Sequence, residues 1–201
     1  MPKKMKMTSP KGTAVWPWLN EPDTRWDDVG AYTVTLKMSA QDAEPFLTKL
    51  KEFYKHGYEE FVKEKGKNKL KNANMPWFNI EDDQGNDTGE IGFKFKNKAS
   101  YEYEGKKIET RVQLIDTHGD PVTSTVGGGS TIKVGLEPYV WYVPSQGVGM
   151  TLRVKVVQVL NLVEYGGKSA ADEFEFEIEE ASVPTSTASE SAPRGDEDFN
   201  F

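Results

Sequence analysis

The chain has 201 residues, 25 of them Lys or Arg and 32 Asp or Glu, for a formal net charge of −7. That charge is unevenly placed: residues 169–201 hold ten acids and one base (Arg194), a net −9, and leave the remainder at +2. The length fits one domain with appendages, and the absence of cysteine excludes disulfides, thiolate chemistry and Cys-ligated zinc.

In chain order, residues 1–28 read as an irregular segment packing on the domain that follows. The N-terminal Met-Pro-Lys-Lys lacks the apolar run of a signal peptide. Pro17 and Pro22 exclude a helix interior here. From Gly30 to Met38 the pattern alternates, with Tyr32, Val34, Leu36 and Met38 on one face and Thr33, Thr35 and Lys37 on the other, which predicts a half-buried strand. Asp42 is read as opening a helix, with Pro45 in its first turn. Phe46, Leu47, Leu50, Phe53, Tyr54, Tyr58, Phe61 and Val62 recur at three- and four-residue steps and form its apolar stripe. Gly66 stops it, and Lys65, Lys67, Lys69 and Lys71 then read as a mobile basic loop.

Residues 81–89 form a turn cluster. Strand patterns follow at Ile91–Lys98, Lys107–Asp116, Ser130–Leu136 and Thr151–Glu164. Beyond Gly166-Gly167, residues 172–180 alternate acid and apolar, and 182–195 are too polar to fold alone. Five strands with uneven loops favour a small closed barrel. The expected fold is therefore mainly β: a five-stranded OB-fold barrel at 29–168, one amphipathic helix after the first strand, and a disordered acidic tail at 169–201.

The sequence carries little that could assemble a catalytic site. His56 and His118 are the only histidines, without an HxE, HExxH or HxH pattern. There is no Walker A, G-x-G-x-x-G or G-x-S-x-G motif. Asp82 to Asp87 is superficially similar to a calcium loop but lacks the alternating ligands and the closing glutamate, so a solvated turn is the simpler reading. Gly127-Gly128-Gly129-Ser130 is either an anion-binding nest or a tight connection between strands. No cofactor or metal is expected, and the chain does not read as an enzyme.

What the sequence does carry is cations interleaved with aromatics. Lys94, Lys96 and Lys98 alternate with Phe93 and Phe95, the phenylalanines reading as core. Lys94, Lys96, Arg111, Lys133, Arg153 and Lys155 are the candidates for contacts to phosphates, with Trp77, Tyr101, Trp141 and Tyr142 for stacking on bases. Single-stranded nucleic acid needs both, and neither contact reads sequence. In the tail, Asp196, Glu197, Asp198, Phe199 and Phe201 read as a recognition motif, because exposed aromatics add nothing to solubility. The alternative is an adaptor barrel that binds protein, with a tail that only solubilises.

Several blocks resemble the replicative single-stranded DNA-binding proteins of short-tailed bacteriophages: Gly30-Ala31-Tyr32, Met75-Pro76-Trp77-Phe78, Phe93-Lys94-Phe95-Lys96 with Ala99-Ser100, Gly127-Gly128-Gly129-Ser130 leading to Ile132-Lys133-Val134, Pro138-Tyr139-Val140-Trp141, and the acidic tail with a terminal phenylalanine. The resemblance spans most of the chain and rests on the order of the blocks. It implies an OB-fold, sequence-independent binding of single-stranded DNA in replication, recombination and repair, and dimerisation. It also implies residence in the cytoplasm of the infected bacterium and a tail that contacts the phage polymerase and primase-helicase and competes with DNA. The chain departs from the resemblance in its Ser/Thr/Pro/Ala spacer at 182–193.

Overall fold

The computed structural model describes residues 5–164. Within them, ten strands and one helix follow in order: β1 (Met7–Thr8), β2 (Gly12–Asp23), β3 (Ala31–Ser39), α1 (Ala40–Glu64), β4 (Trp77–Glu81), β5 (Asp87–Lys98), β6 (Ser100–Tyr103), β7 (Lys106–Glu109), β8 (Gln113–Ile115), β9 (Thr131–Val143) and β10 (Gly147–Asn161). Five of them form a circuit. β2 pairs antiparallel with β3, and β3 with β5. β5 meets β10 in parallel at Phe95–Leu152. A long antiparallel ladder joins β10 to β9, and β9 returns to β2 at Gly12–Ile132 and Thr13–Thr131. This is the OB-type barrel expected, with α1 between its second and third strands.

The inside of the circuit follows from two-residue alternation. Val34 and Leu36 of β3, Phe93 and Phe95 of β5, Ile132, Val134 and Leu136 of β9, and Leu152 and Val154 of β10 are all buried. α1 packs Ala43, Phe46, Leu47 and Leu50 against them, and Phe46 meets Phe93 edge-on at 5.2 Å between centroids. The helix starts two residues earlier than expected. Ser39 is its cap, with Oγ accepting from the Asp42 amide at 3.1 Å, so Asp42 sits inside the first turn. Gly57 has a packing reason: a Cβ there would lie 2.9 Å from Val140. The helix stops at Gly66 (φ +58°), as read from the sequence.

Three expectations need correction. The segment 1–28 is not irregular, because Gly12–Asp23 is a barrel strand. Its prolines are accommodated where the ladder slips, Pro17 in a break between Val15 and Trp18 and Pro22 in another between Trp18 and Asp23. Second, Lys107–Asp116 is not one barrel strand. It divides into β7 and β8: β7 forms a hairpin with β6, and β8 flanks β10 in parallel outside the circuit. Glu104 and Gly105 turn that hairpin with φ of +51° and +73°, the two-residue turn that favours glycine. Third, the loop after α1 is anchored. Leu70 is buried, and its amide and carbonyl both bond the Tyr58 hydroxyl. Lys71 O accepts from the Val148 amide at 2.8 Å. The four lysines remain exposed along this loop, beside the β9–β10 hairpin.

Among the described residues no helix is long and apolar enough to cross a membrane. The alternation at 172–180 and the tail motif Asp196, Glu197, Asp198, Phe199 and Phe201 lie outside the described residues.

The parallel seam rests on Phe95, which is 1% exposed. Phe95→Ala is expected to lower unfolding stability by about 3–5 kcal/mol, read as a lower urea midpoint with unchanged slope.

Candidate nucleic-acid interface

The same alternation that buries Phe93 and Phe95 turns Lys94, Lys96 and Lys98 outward, where all three are exposed. Strand register then aligns them with the neighbouring strands. Lys96 stands opposite Thr33, which stands opposite Trp18 of β2; Lys94 stands opposite Thr35, which stands opposite Val15. The outer surface of β2, β3 and β5 therefore has rungs running from an apolar group through a threonine to a lysine.

Aromatic rings line this surface, three of them under a cation. β4 places Phe78 across from Gly92, and its ring occupies the space a side chain there would need, since a Cβ on Gly92 would lie 2.6 Å from it. Lys94 Nζ sits 4.9 Å above that ring. In the loop after β2, the Arg25 guanidinium lies 4.8 Å over Trp18. Beyond the seam, the Arg153 guanidinium of β10 lies 4.0 Å over Tyr139 of β9. Trp141 covers Gly149, and its Nε1 donates to Thr151 Oγ1 at 3.0 Å. An exposed cation over an aromatic face contributes only about 0.5–1 kcal/mol, so each couple opens readily. A flat ring and a positive charge then become available at the same place.

Acidic residues temper the surface. Asp23 grips Arg25 through two bonds of 2.9 Å. The side-chain and then the backbone hydrogen bond from Arg25 hold the Asp23 carboxyl down at about 2, with a smaller contribution from Lys96. The Arg25 guanidinium is raised in turn, chiefly by the Asp23 hydrogen bond. Glu137 lies 3.7 Å from Lys155, and Glu90 lies 3.1 Å from Lys37.

The candidates from the sequence fall into three groups. Lys94, Lys96 and Arg153 lie on this outer surface, Lys155 follows Arg153 against Glu137, and Lys133 lies farther along β9 opposite Gln158. Arg111 and Tyr101 lie elsewhere. Arg111 lines a cleft of about 760 Å³ with Glu21, Tyr32 and Leu114, and Tyr101 is exposed with Tyr103 on the β6–β7 hairpin. The third group is engaged internally. Tyr142 packs against Phe61 of α1 at 6.0 Å and lies under Lys65, Trp77 is half-buried against the core, and Trp141 is half-buried over Gly149. Trp18, Arg25, Phe78 and Tyr139 were not among the candidates. The signal for each is its partner across the sheet, which depends on register.

The acidic turn is self-contained: Asp82 Oδ1 accepts from the Gln84 and Asn86 amides, and Oδ2 from Asn86 Nδ2. No group of three metal-ligating side chains occurs among the described residues. Two of the triple-glycine amides are spent within the fold, Gly127 on Val163 O and Gly129 on Ala14 O, which is the tight-connection reading.

The family model described as the single-stranded DNA-binding protein of bacteriophage T7 matches residues 12–163. Among solved structures, the chain is similar to gp2.5, a single-stranded DNA-binding protein encoded by bacteriophage T7, at 22% identity and TM-score 0.68, covering 91% of this chain and 100% of that one. It is also similar to the single-stranded DNA-binding protein of bacteriophage Enc34 in complex with single-stranded DNA, at 13% identity and TM-score 0.60, covering 81% and 89%. No curated protein matches the chain. The matched span runs from the first residue of β2 to just past the end of β10, so it takes in the whole barrel and the three cation–aromatic couples on its surface. The chain belongs to the bacteriophage T7 single-stranded DNA-binding protein family.

Proposed function

We propose that this chain coats single-stranded DNA without sequence preference during phage replication and recombination, and that it does so through the outer surface of β2, β3, β5, β9 and β10. The observation that carries this is the set of cation–aromatic couples (Lys94 on Phe78, Arg25 on Trp18, Arg153 on Tyr139) on one barrel beside an exposed lysine row. A strand entering this surface stacks bases on the rings, and the displaced cations move to the phosphates. Stacking is worth roughly 1–3 kcal/mol per base and accepts any base. Lys155, Lys133 and the basic loop at Lys65, Lys67, Lys69 and Lys71 extend the phosphate track. In this reading Arg111 and Tyr101 are peripheral contacts, and the half-buried Trp77, Trp141 and Tyr142 support the surface more than they stack.

The tail is assigned the regulatory role. Its motif (Asp196, Glu197, Asp198, Phe199, Phe201) competes with DNA for the cations at an effective concentration near ~1 mM. Once displaced, it recruits the phage polymerase and primase-helicase. Assembly as a homodimer and action in the cytoplasm of the infected host complete the proposal.

Lys94→Ala with Lys96→Ala is expected to weaken oligo-dT binding and to reduce the slope of log K against log salt by about 0.7 for each phosphate no longer neutralised. An unchanged slope in a salt-series titration would move the interface elsewhere.

Asp23→Asn is expected to tighten binding by freeing Arg25. The folded Asp23 carboxyl titrates at about 2 against an ordinary 3.8. Its ion pair is therefore fully in place above about pH 4 and fades only as pH falls towards 2. Between pH 5 and 9 this pair should contribute no pH dependence to affinity, which fluorescence titration in matched buffers would check.

Deleting residues 182–201 is expected to tighten DNA binding, most at low ionic strength, and to abolish polymerase contact. If the truncated and full-length proteins bound oligo-dT equally, self-competition would be wrong.

A further inference from the structure

Where β2 slips its register between Val15 and Trp18, Trp16 is held at φ +50° with its side chain in solvent, the residue being 82% exposed. A tryptophan in the left-handed region is strained, and an exposed indole returns no burial. Trp16, Pro17, Trp18, Arg25 and Gly128 are among the residues lining a cleft of about 590 Å³, which also holds one carboxylate, Glu21. Its far wall is fixed. Asn20 Nδ2 donates to Ser124 O and its Oδ1 accepts from the Val126 amide, both at 3.0 Å. At Gly128 the cleft is open, since a Cβ there would have nothing nearer than the Ala14 carbonyl at 4.0 Å.

We propose that this cleft is a base-binding subsite, in which an unpaired nucleobase of the DNA strand stacks on Trp16 and its phosphate takes Arg25 from Trp18. The proposal rests on the DNA-binding reading above and adds a site to it. Continuity favours a base over a protein side chain as occupant. Trp18, which forms one wall, is the first member of the rung that continues through Thr33 to Lys96. A strand following that rung across β2 arrives in the cleft. Of the wall groups, the Val126 amide is already bonded to Asn20 Oδ1 and the Asn20 side-chain amide to Ser124 O, so stacking on the indole rather than base-edge readout is what this wall offers.

Trp16→Gly separates binding from folding, because glycine removes the ring and also relieves the positive φ. The expected result is about tenfold weaker binding of oligo-dT, equivalent to about 1.4 kcal/mol, with thermal stability unchanged or raised. Photocrosslinking of an oligonucleotide carrying 5-iododeoxyuridine to the unaltered protein, mapped by mass spectrometry, should mark Trp16 or Trp18. If Trp16→Gly bound as tightly as the parent, or if crosslinks fell only on β5, β9 and β10, the subsite would be refuted while the DNA-binding reading stood. If the parent protein itself failed to bind oligo-dT, the broader reading would fail instead.

Discussion

The two-residue alternation of β5 carries both the fold and its outer chemistry. Phe93 and Phe95 point into the barrel, fully or almost fully buried, while Lys94 and Lys96 between and beside them stand in water. Phe95 also occupies the one position at which β5 and β10 meet in parallel and complete the circuit. A slip of one residue would exchange the faces, placing lysines in the core and rings in solvent. Burying unpaired lysines is far more costly than any alternative pairing could return. The register of the basic row is thus enforced by the core, and the spacing between the backbone positions that carry the cations is as rigid as the barrel.

The fixed anchor points of the cations are matched by how the rings are held. Phe78 and Trp141 each lie over a glycine, Gly92 and Gly149, so a flat face rests against backbone in place of a side chain. Tyr139 and Trp18 are each covered by a guanidinium. An aromatic covered by a cation keeps its orientation without being buried. It can then exchange one flat or charged neighbour for another at small cost, because exposed cation–π contacts are weak. The proposed interface requires a surface that is ordered but not committed to one partner, and these couples meet both conditions.

The parts of this arrangement legible in the sequence are those set by local period. The alternation at 30–38 and 91–98, the stripe of α1 and the stop at Gly66 all follow from residue spacing. So does the outward phase of Lys94, Lys96 and Arg153. Features that depend on pairing over distance were not legible. Pro17 and Pro22 argue against regular structure locally, yet the ladder slips around both and β2 closes the barrel. Tyr142 reads as a stacking ring until α1 is seen to cover it, since nothing in the spacing at 139–142 says which side the helix takes. Phe78 and Tyr139 become candidates only when Lys94 and Arg153 are known to lie over them.

The acids on this surface bear on why coating would be reversible. Asp23, Glu137 and Glu90 each engage one cation, and all three pairs are at least partly exposed. Pairs of this kind are strongly screened by solvent, so in the proposed reading a phosphate displaces the carboxylate with little loss, and the carboxylate recovers its cation when the strand leaves. Each acid also cancels part of the local positive field, which limits how strongly the barrel attracts any polyanion. The body carries only +2 over residues 1–168 while the segment beyond carries −9. In the proposed reading, a moderately basic surface with its own internal competitors is one that a tethered acidic segment can contest. By the same reading, a surface stripped of Asp23 and Glu137 would hold DNA more tightly and leave the proposed competition by the tail with less influence over release.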